Sequence, residues 1–269
     1  MTPQILFTKT NARQFVPTYF RDLDKVIEGL HKSNLILIGG RPAMGCRSLV
    51  LTMACKQAWD NRSVACFFMT LSEIELEDRA ARIFDYYKMP KTPLTPQPLF
   101  FIDYKLDIDK LHNEIERLKR ERHIEAVYVE SVQMIGVKDN AATTYEYHTE
   151  LAVKALWEMS REFDIPIIAL SSLSRDTVRR VGDKAPMISD LRESGTLEVY
   201  ADVVLLLNRP EYYGLKCDEF GNATIGRADI NVAKNAFGQM DDVRLVFDQS
   251  QSVFYDSPTL LELKSKINS

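Results

Sequence analysis

Six apolar, β-rich runs recur along the chain: LILIGG (35–40), VACFFMTL (64–71), LFFID (99–103), AVYVES (126–131), PIIALSS (166–172) and ADVVLLLN (201–208). Most are continuously apolar rather than alternating, as strands covered on both faces are. Helical patterns fall between them. From Asp107 to Arg122, Ile108, Leu111, Ile115 and Leu118 stand at spacings of 3, 4 and 3, a single apolar stripe. Residues 144–163 carry Leu151, Leu156, Trp157 and Phe163 on a longer pattern. Strands alternating with helices predict an α/β fold with a mostly parallel central sheet flanked by crossover helices. ADINVA (228–233) and VRLVF (243–247) predict added strands, and DQSQ between VRLVF and SVFYD (252–256) predicts a C-terminal β-hairpin. MPKTPLTPQP (89–98) holds four prolines and is read as a loop.

A length of 269 residues suits one such domain or two small ones. The net charge of −4 excludes a globally basic nucleic-acid coat, so any nucleic-acid contact must be local. The four cysteines, Cys46, Cys55, Cys66 and Cys217, show no C-x-x-C spacing. Zinc and disulfide frameworks are therefore not expected, and a reducing cytoplasm is the expected setting. No apolar run is long enough to span a membrane.

The first strand runs into Gly39-Gly40-Arg41-Pro42-Ala43-Met44-Gly45-Cys46-Arg47-Ser48, and a helix follows. Strand, glycine-rich turn and helix form the setting in which backbone N–H groups cradle phosphate. A working loop reads G-x-x-x-x-G-K-[ST]. Gly40 and Gly45 match the glycines, but Cys46 stands at the lysine position and Arg47 at the hydroxyl position. On spacing alone the segment reads as a tight strand-to-helix turn.

GGRPAMGCRSLVLTMA resembles the phosphate loop of DnaB-type replicative helicases, whose version runs A-R-P-x-M-G-K-T. VPTYFRDLDKVIEGL (16–30), residues 98–135, IPIIALSSLSR (165–175), residues 185–213 with their DLRESG run, and INVAKNAFG (230–238) continue the resemblance. It implies a RecA-like P-loop ATPase core over 16–256, preceded by an N-terminal arm (1–15) and followed by a tail (257–269). It also implies ATP and Mg²⁺ as cofactors and a ring of subunits. Gly40, Arg41, Pro42, Met44, Gly45, Cys46, Arg47 and Ser48 fall on its nucleotide-binding positions, and Lys234 on the K-x-R position that supplies a cation to the neighbouring subunit's nucleotide.

At the chemical positions the residue types depart from the family's. Cys46 cannot neutralise phosphate as the lysine does, and Arg47 repels the metal that a Ser or Thr would hold. Ser72 falls where a glutamate orients the attacking water, with Glu73 one residue on. The acidic-strand aspartate is Glu130, the phosphate-sensing glutamine is Ser172, and the arginine finger of the K-x-R motif is Ala236. Loss of a finger alone costs roughly 10³–10⁵ in rate. The expectation is a DnaB-like core paralogue acting as a pseudo-ATPase that binds single-stranded DNA and/or a helicase or replication partner, as a homo-oligomer or in a mixed ring with another helicase subunit. The alternative is an active motor in which Arg47, Glu73 and Glu130 stand in for the missing groups. The loop amides do not depend on side-chain identity, so phosphate docking is separable from hydrolysis, with Arg47 or Arg41 as the cation. Cys46, at a helix N-terminus beside Arg47, is read either as a reactive thiol or as an inert small residue.

The DLRESG run places Arg192, Glu193 and Gly195 on the family's single-stranded DNA contacts. Arg175, Arg179, Arg180 and Lys184 in the preceding loop would add a local positive patch. The competing reading is a solvated loop with Asp190 as a helix N-cap and Glu193 closing a capping box.

Overall fold

The computed structural model describes residues 15–89, 98–138, 144–174, 180, 184–191 and 194–258. Residues 90–97 of the proline-rich segment, most of the basic loop and the positions of Arg192 and Glu193 lie outside them.

Two short strands, β1 (Phe15–Val16) and β2 (Leu30–His31), pair antiparallel around α1 (Arg21–Ile27). The chain then builds β3 (Leu35–Gly40), α2 (Cys46–Trp59), β4 (Val64–Phe68), α3 (Glu73–Tyr86), β5 (Leu99–Ile102), α4 (Ile108–Arg122), β6 (Ala126–Glu130), α5 (Tyr145–Glu162), β7 (Ile167–Ser172), α6 (Ser194–Tyr200) and β8 (Val203–Asn208). Three strands close it: β9 (Arg227–Asn235), β10 (Asp242–Asp248) and β11 (Val253–Asp256). One nine-stranded sheet results, in the order β11-β10-β9-β8-β3-β7-β6-β4-β5. From β5 to β8 all neighbours are parallel, and β9, β10 and β11 add antiparallel to the β8 edge.

Side-chain alternation splits the interior into two cores. Ile36, Ile38, Cys66, Phe68 and Tyr128 face one side with α1, α2 and α3. Leu35, Leu37, Ala65, Phe67, Val127 and Val129 face the other with α4, α5 and α6. Successive residues of a strand point to opposite faces, so continuous apolar runs feed both cores at once. Helix α2 is buried on every side from Leu49 to Ala58 and has no amphipathic stripe, because it lies between the sheet and neighbouring elements.

The predicted hairpin is present: β10 and β11 pair with Asp248 opposite Val253. The Asp248 carboxylate accepts from the N–H groups of Ser250 (2.9 Å) and Gln251 (3.2 Å), which shapes the turn. Two local expectations differ. In α5 the buried face is Thr149, Ala152, Val153, Leu156, Met159 and Ser160. Leu151 and Trp157 are only half-buried, and the Arg161 guanidinium lies 3.9 Å over the Trp157 ring. Large residues dominated the periodicity, whereas the close approach of α5 favours small ones. Asp190 is not a helix N-cap. It ends a 3-10 turn (Ile188–Asp190) and folds back to accept from the Met187 N–H at 2.7 Å.

Candidate nucleotide site

The phosphate-loop segment leaves β3 at its carboxyl end, at the point where β7 and β8 flank it on either side. Such switch points are where open α/β sheets hold ligands. Each glycine has a specific cause. A Cβ on Gly40 would sit 2.2 Å from the Cys46 sulfur, and Gly45 takes φ +97° as the residue capping α2. Met44 is buried and its N–H bonds the Arg41 carbonyl at 3.1 Å. From across the sheet, Arg209 donates to the Ala43 carbonyl at 3.3 Å and pins the turn.

The Cys46 thiol tucks under Gly40, and burial pushes it up to about 12, outweighing its own N–H and the Arg47 charge. Desolvation thus works against the reactive-thiol reading, although Cys46 is only half-buried and lines the cavity over the loop. Arg47 does not occupy the role of the missing lysine. Its Nε donates to Glu130 Oε1 at 2.8 Å, its Nη2 also reaches that oxygen, and Nη2 donates to Thr70 Oγ1 at 2.9 Å. Thr70 Oγ1 in turn donates to Glu130 Oε2 at 2.8 Å. Glu130 is buried, with 7% of its surface exposed. The result is a closed triad joining the start of α2 to the ends of β4 and β6, with the carboxylate neutralised by a guanidinium.

A cavity of about 610 Å³ opens over this loop, lined by Arg41, Arg47, Ser48, Glu130, Arg79 of α3 and Arg209, among others. Its size falls in the range of small-molecule sites. The site fits phosphate but not Mg²⁺. Loop amides at the α2 N-terminus and a surplus of guanidinium suit an anion. A divalent cation needs oxygen ligands, and the one carboxylate lining the cavity among the described residues is already paired with Arg47 through Oε1 and bonded by Thr70 at Oε2.

Of the other expected positions, Ser172 lines this cavity, and Ser72, Glu73 and Lys234 do not. Ser72 is committed to capping α3: its hydroxyl accepts from the Glu75 N–H at 3.4 Å, and its own N–H donates to Glu75 Oε2 at 2.9 Å. Glu73 lines a separate hollow beside β5, with Glu77 and Arg117, so it does not stand in for the water-orienting acid. Ser172 ends β7, with its N–H directed to Gln133 Oε1 at 3.3 Å. Lys234 pairs with Val204 low on β8, whereas Gly40 lies beside Leu207 higher on the same strand. Its ammonium donates to the Glu198 carbonyl at 2.7 Å, and the Ala236 N–H donates to Asp202 O at 3.0 Å. Because β9 runs antiparallel, it carries Lys234 to the end of the sheet away from this chain's own loop; the resemblance assigns this lysine to the neighbouring subunit's nucleotide, not to this one.

Of the expected DNA contacts, Arg192 and Glu193 lie outside the described residues, and Gly195 faces open space in α6. Arg175 and Arg179 also lie outside them, while Arg180 is bound to Asp190 at 2.5 Å and to the Ala185 carbonyl at 2.9 Å. Three residues of the site, Thr70, Arg79 and Arg209, were not singled out from the sequence. Thr70 and Arg209 lie in the runs 64–71 and 185–213 but at positions given no role there, and only the fold brings the three to the loop.

The sequence matches the family model described as DnaB-like helicase C terminal domain over residues 16–85 and 86–256. It is 30% identical over 281 residues to the replicative DNA helicase DnaB of Rickettsia prowazekii (strain Madrid E), a match covering 89% of this chain and 57% of the relative. The chain thus spans a little over half the length of that relative. Among solved structures it resembles a DnaB-like replicative helicase described with its interactions with primase (TM-score 0.79, 24% identity, covering 91% of this chain and 62% of that one). It resembles the ATPase domain of G40P equally well (TM-score 0.78, 24% identity, 91% and 92% covered).

Proposed function

This chain belongs to the family of DnaB-like helicase C-terminal domains, and from that premise we propose that it is a helicase-core paralogue that does not hydrolyse ATP. It serves as a non-catalytic binding subunit, for single-stranded DNA or for a helicase partner in a shared ring. The observation that carries the reading is the triad of Arg47, Thr70 and Glu130. A guanidinium fixed between the loop helix and the acidic strand excludes the metal that would offset charge on the transferring phosphoryl group. Nothing else at the loop supplies the missing functions: Cys46 is a neutral thiol, Ser72 a helix cap, and Ala236 carries no charge. Phosphoryl transfer depends on positioned charge, so the deficit falls on the transition state itself.

The single-stranded DNA part of the reading rests on the DLRESG run at 190–195 and on family membership. Contacts there would be to the backbone, without sequence readout.

The test is steady-state ATPase activity of the pure chain with Mg²⁺, with and without single-stranded DNA. The expected result is no turnover above background in either condition. Magnesium-dependent turnover at about 1 s⁻¹ or more, an ordinary enzymatic rate, overturns the reading.

A further inference from the structure

The cavity over the phosphate loop carries an unusual charge inventory. Four arginines, Arg41, Arg47, Arg79 and Arg209, and one carboxylate, Glu130, line it. Arg47 is spent on Glu130. Arg209 is buried, with 4% of its surface exposed, and its Nε has no hydrogen-bond partner among the described residues. Arg41 enters from the loop and Arg79 from α3, and neither makes an ion pair or hydrogen bond to a described residue. Arg79 acts on Glu75, one helical turn away, only through its field.

We propose that this cavity binds a metal-free polyphosphate chain, as in an uncomplexed nucleoside triphosphate, and that Mg²⁺ competes with this binding. The inference rests on the non-hydrolysing reading and specifies what the site holds instead of a metal complex. Guanidinium groups bind phosphate oxygens through paired N–H donors, and Arg41 and Arg79 have those donors unused. The orphan amides at the start of α2 point the same way. Mg²⁺ chelated by the ligand takes up the oxygens these groups would bind and removes much of the negative charge that attracts them. It also brings a dication toward Arg47, whose guanidinium repels it and already neutralises the Glu130 carboxylate. In a family site of the usual composition the metal strengthens binding, so the sign of the magnesium effect is the distinguishing quantity.

The test is calorimetric titration of the full chain with the non-hydrolysable analogue AMP-PNP, once in EDTA and once in excess Mg²⁺. The same pair of titrations with inorganic tripolyphosphate tells a nucleotide from a bare polyphosphate. Saturable binding of either probe in EDTA, weakened at least about threefold by Mg²⁺, is expected. Arg41→Gln and Arg79→Gln should each weaken the EDTA binding at least about fivefold, with circular dichroism and melting temperature unchanged. No binding of either probe in EDTA overturns the proposal, as does binding that requires Mg²⁺ or ignores both arginine changes. Those failures leave the non-hydrolysing reading intact, since only ATP turnover bears on it.

Discussion

Arg47 and Cys46 occupy adjacent positions yet meet opposite fates, and the difference is desolvation. The guanidinium keeps one side open and finds two acceptors, so its charge is retained and used. The thiol points inward and loses the solvation a thiolate needs, which holds it near 12. Replacing Arg47 with Ala leaves Glu130 buried without its cation. Breaking a fully buried pair costs about 3–5 kcal/mol, and with the Arg47 side chain one-third exposed about 2–3 kcal/mol is expected, read from urea unfolding. The double variant Arg47→Ala/Glu130→Gln should recover part of that loss, because the stranded charge is gone. Iodoacetamide at pH 8 should label the exposed Cys217 and leave Cys46, Cys55 and Cys66 unmodified, as peptide mass mapping would show.

Among the secondary-structure elements, α2 is the one whose surroundings the sequence least reveals. It is enclosed, and Lys56 within it is buried with its Nζ donating to the Tyr19 carbonyl at 3.0 Å, beneath the rings of Phe20 and Tyr87. Burial lowers this lysine to about 8. The folded state therefore releases the proton near pH 8, while the unfolded chain holds it to about 10.4. Between those values the unfolded state binds more protons, so stability rises with pH through that window. Relative to Lys56→Met, the wild type should gain about 2 kcal/mol between pH 7 and pH 9.5, measured by urea unfolding of both proteins at each pH. A constant difference between the two would contradict the burial argument. At the other end of the scale of legibility stands α4, whose 3-4-3 stripe matches its buried face at Leu111, Ile115 and Leu118. It packs by one side only, so periodicity reports its environment directly.

For the molecule as a whole, the proposed loss of catalysis is spread over several positions that no single change repairs. Cys46→Lys/Arg47→Thr would restore the loop's lysine and hydroxyl and free Glu130. It should still leave turnover below about 1 s⁻¹ in the same ATPase assay, because the water-orienting acid and the finger at Ala236 remain absent. Recovery of ordinary turnover by this pair alone would show the defect to be local to the loop. What the amino-acid order determined by itself was the parallel sheet, its hairpin extension, the position of the phosphate loop and the identity of its substitutions, since all of these are local patterns or contiguous motifs. What only the tertiary structure decided was the use made of those residues. Arg47 became the partner of a strand residue 83 positions away, Ser72 a helix cap, Cys46 a thiol packed under Gly40, and Lys234 a distant contact on an antiparallel strand. Charge pairing and desolvation depend on distances through space, and neighbouring letters along the chain do not encode which strand end a side chain will face.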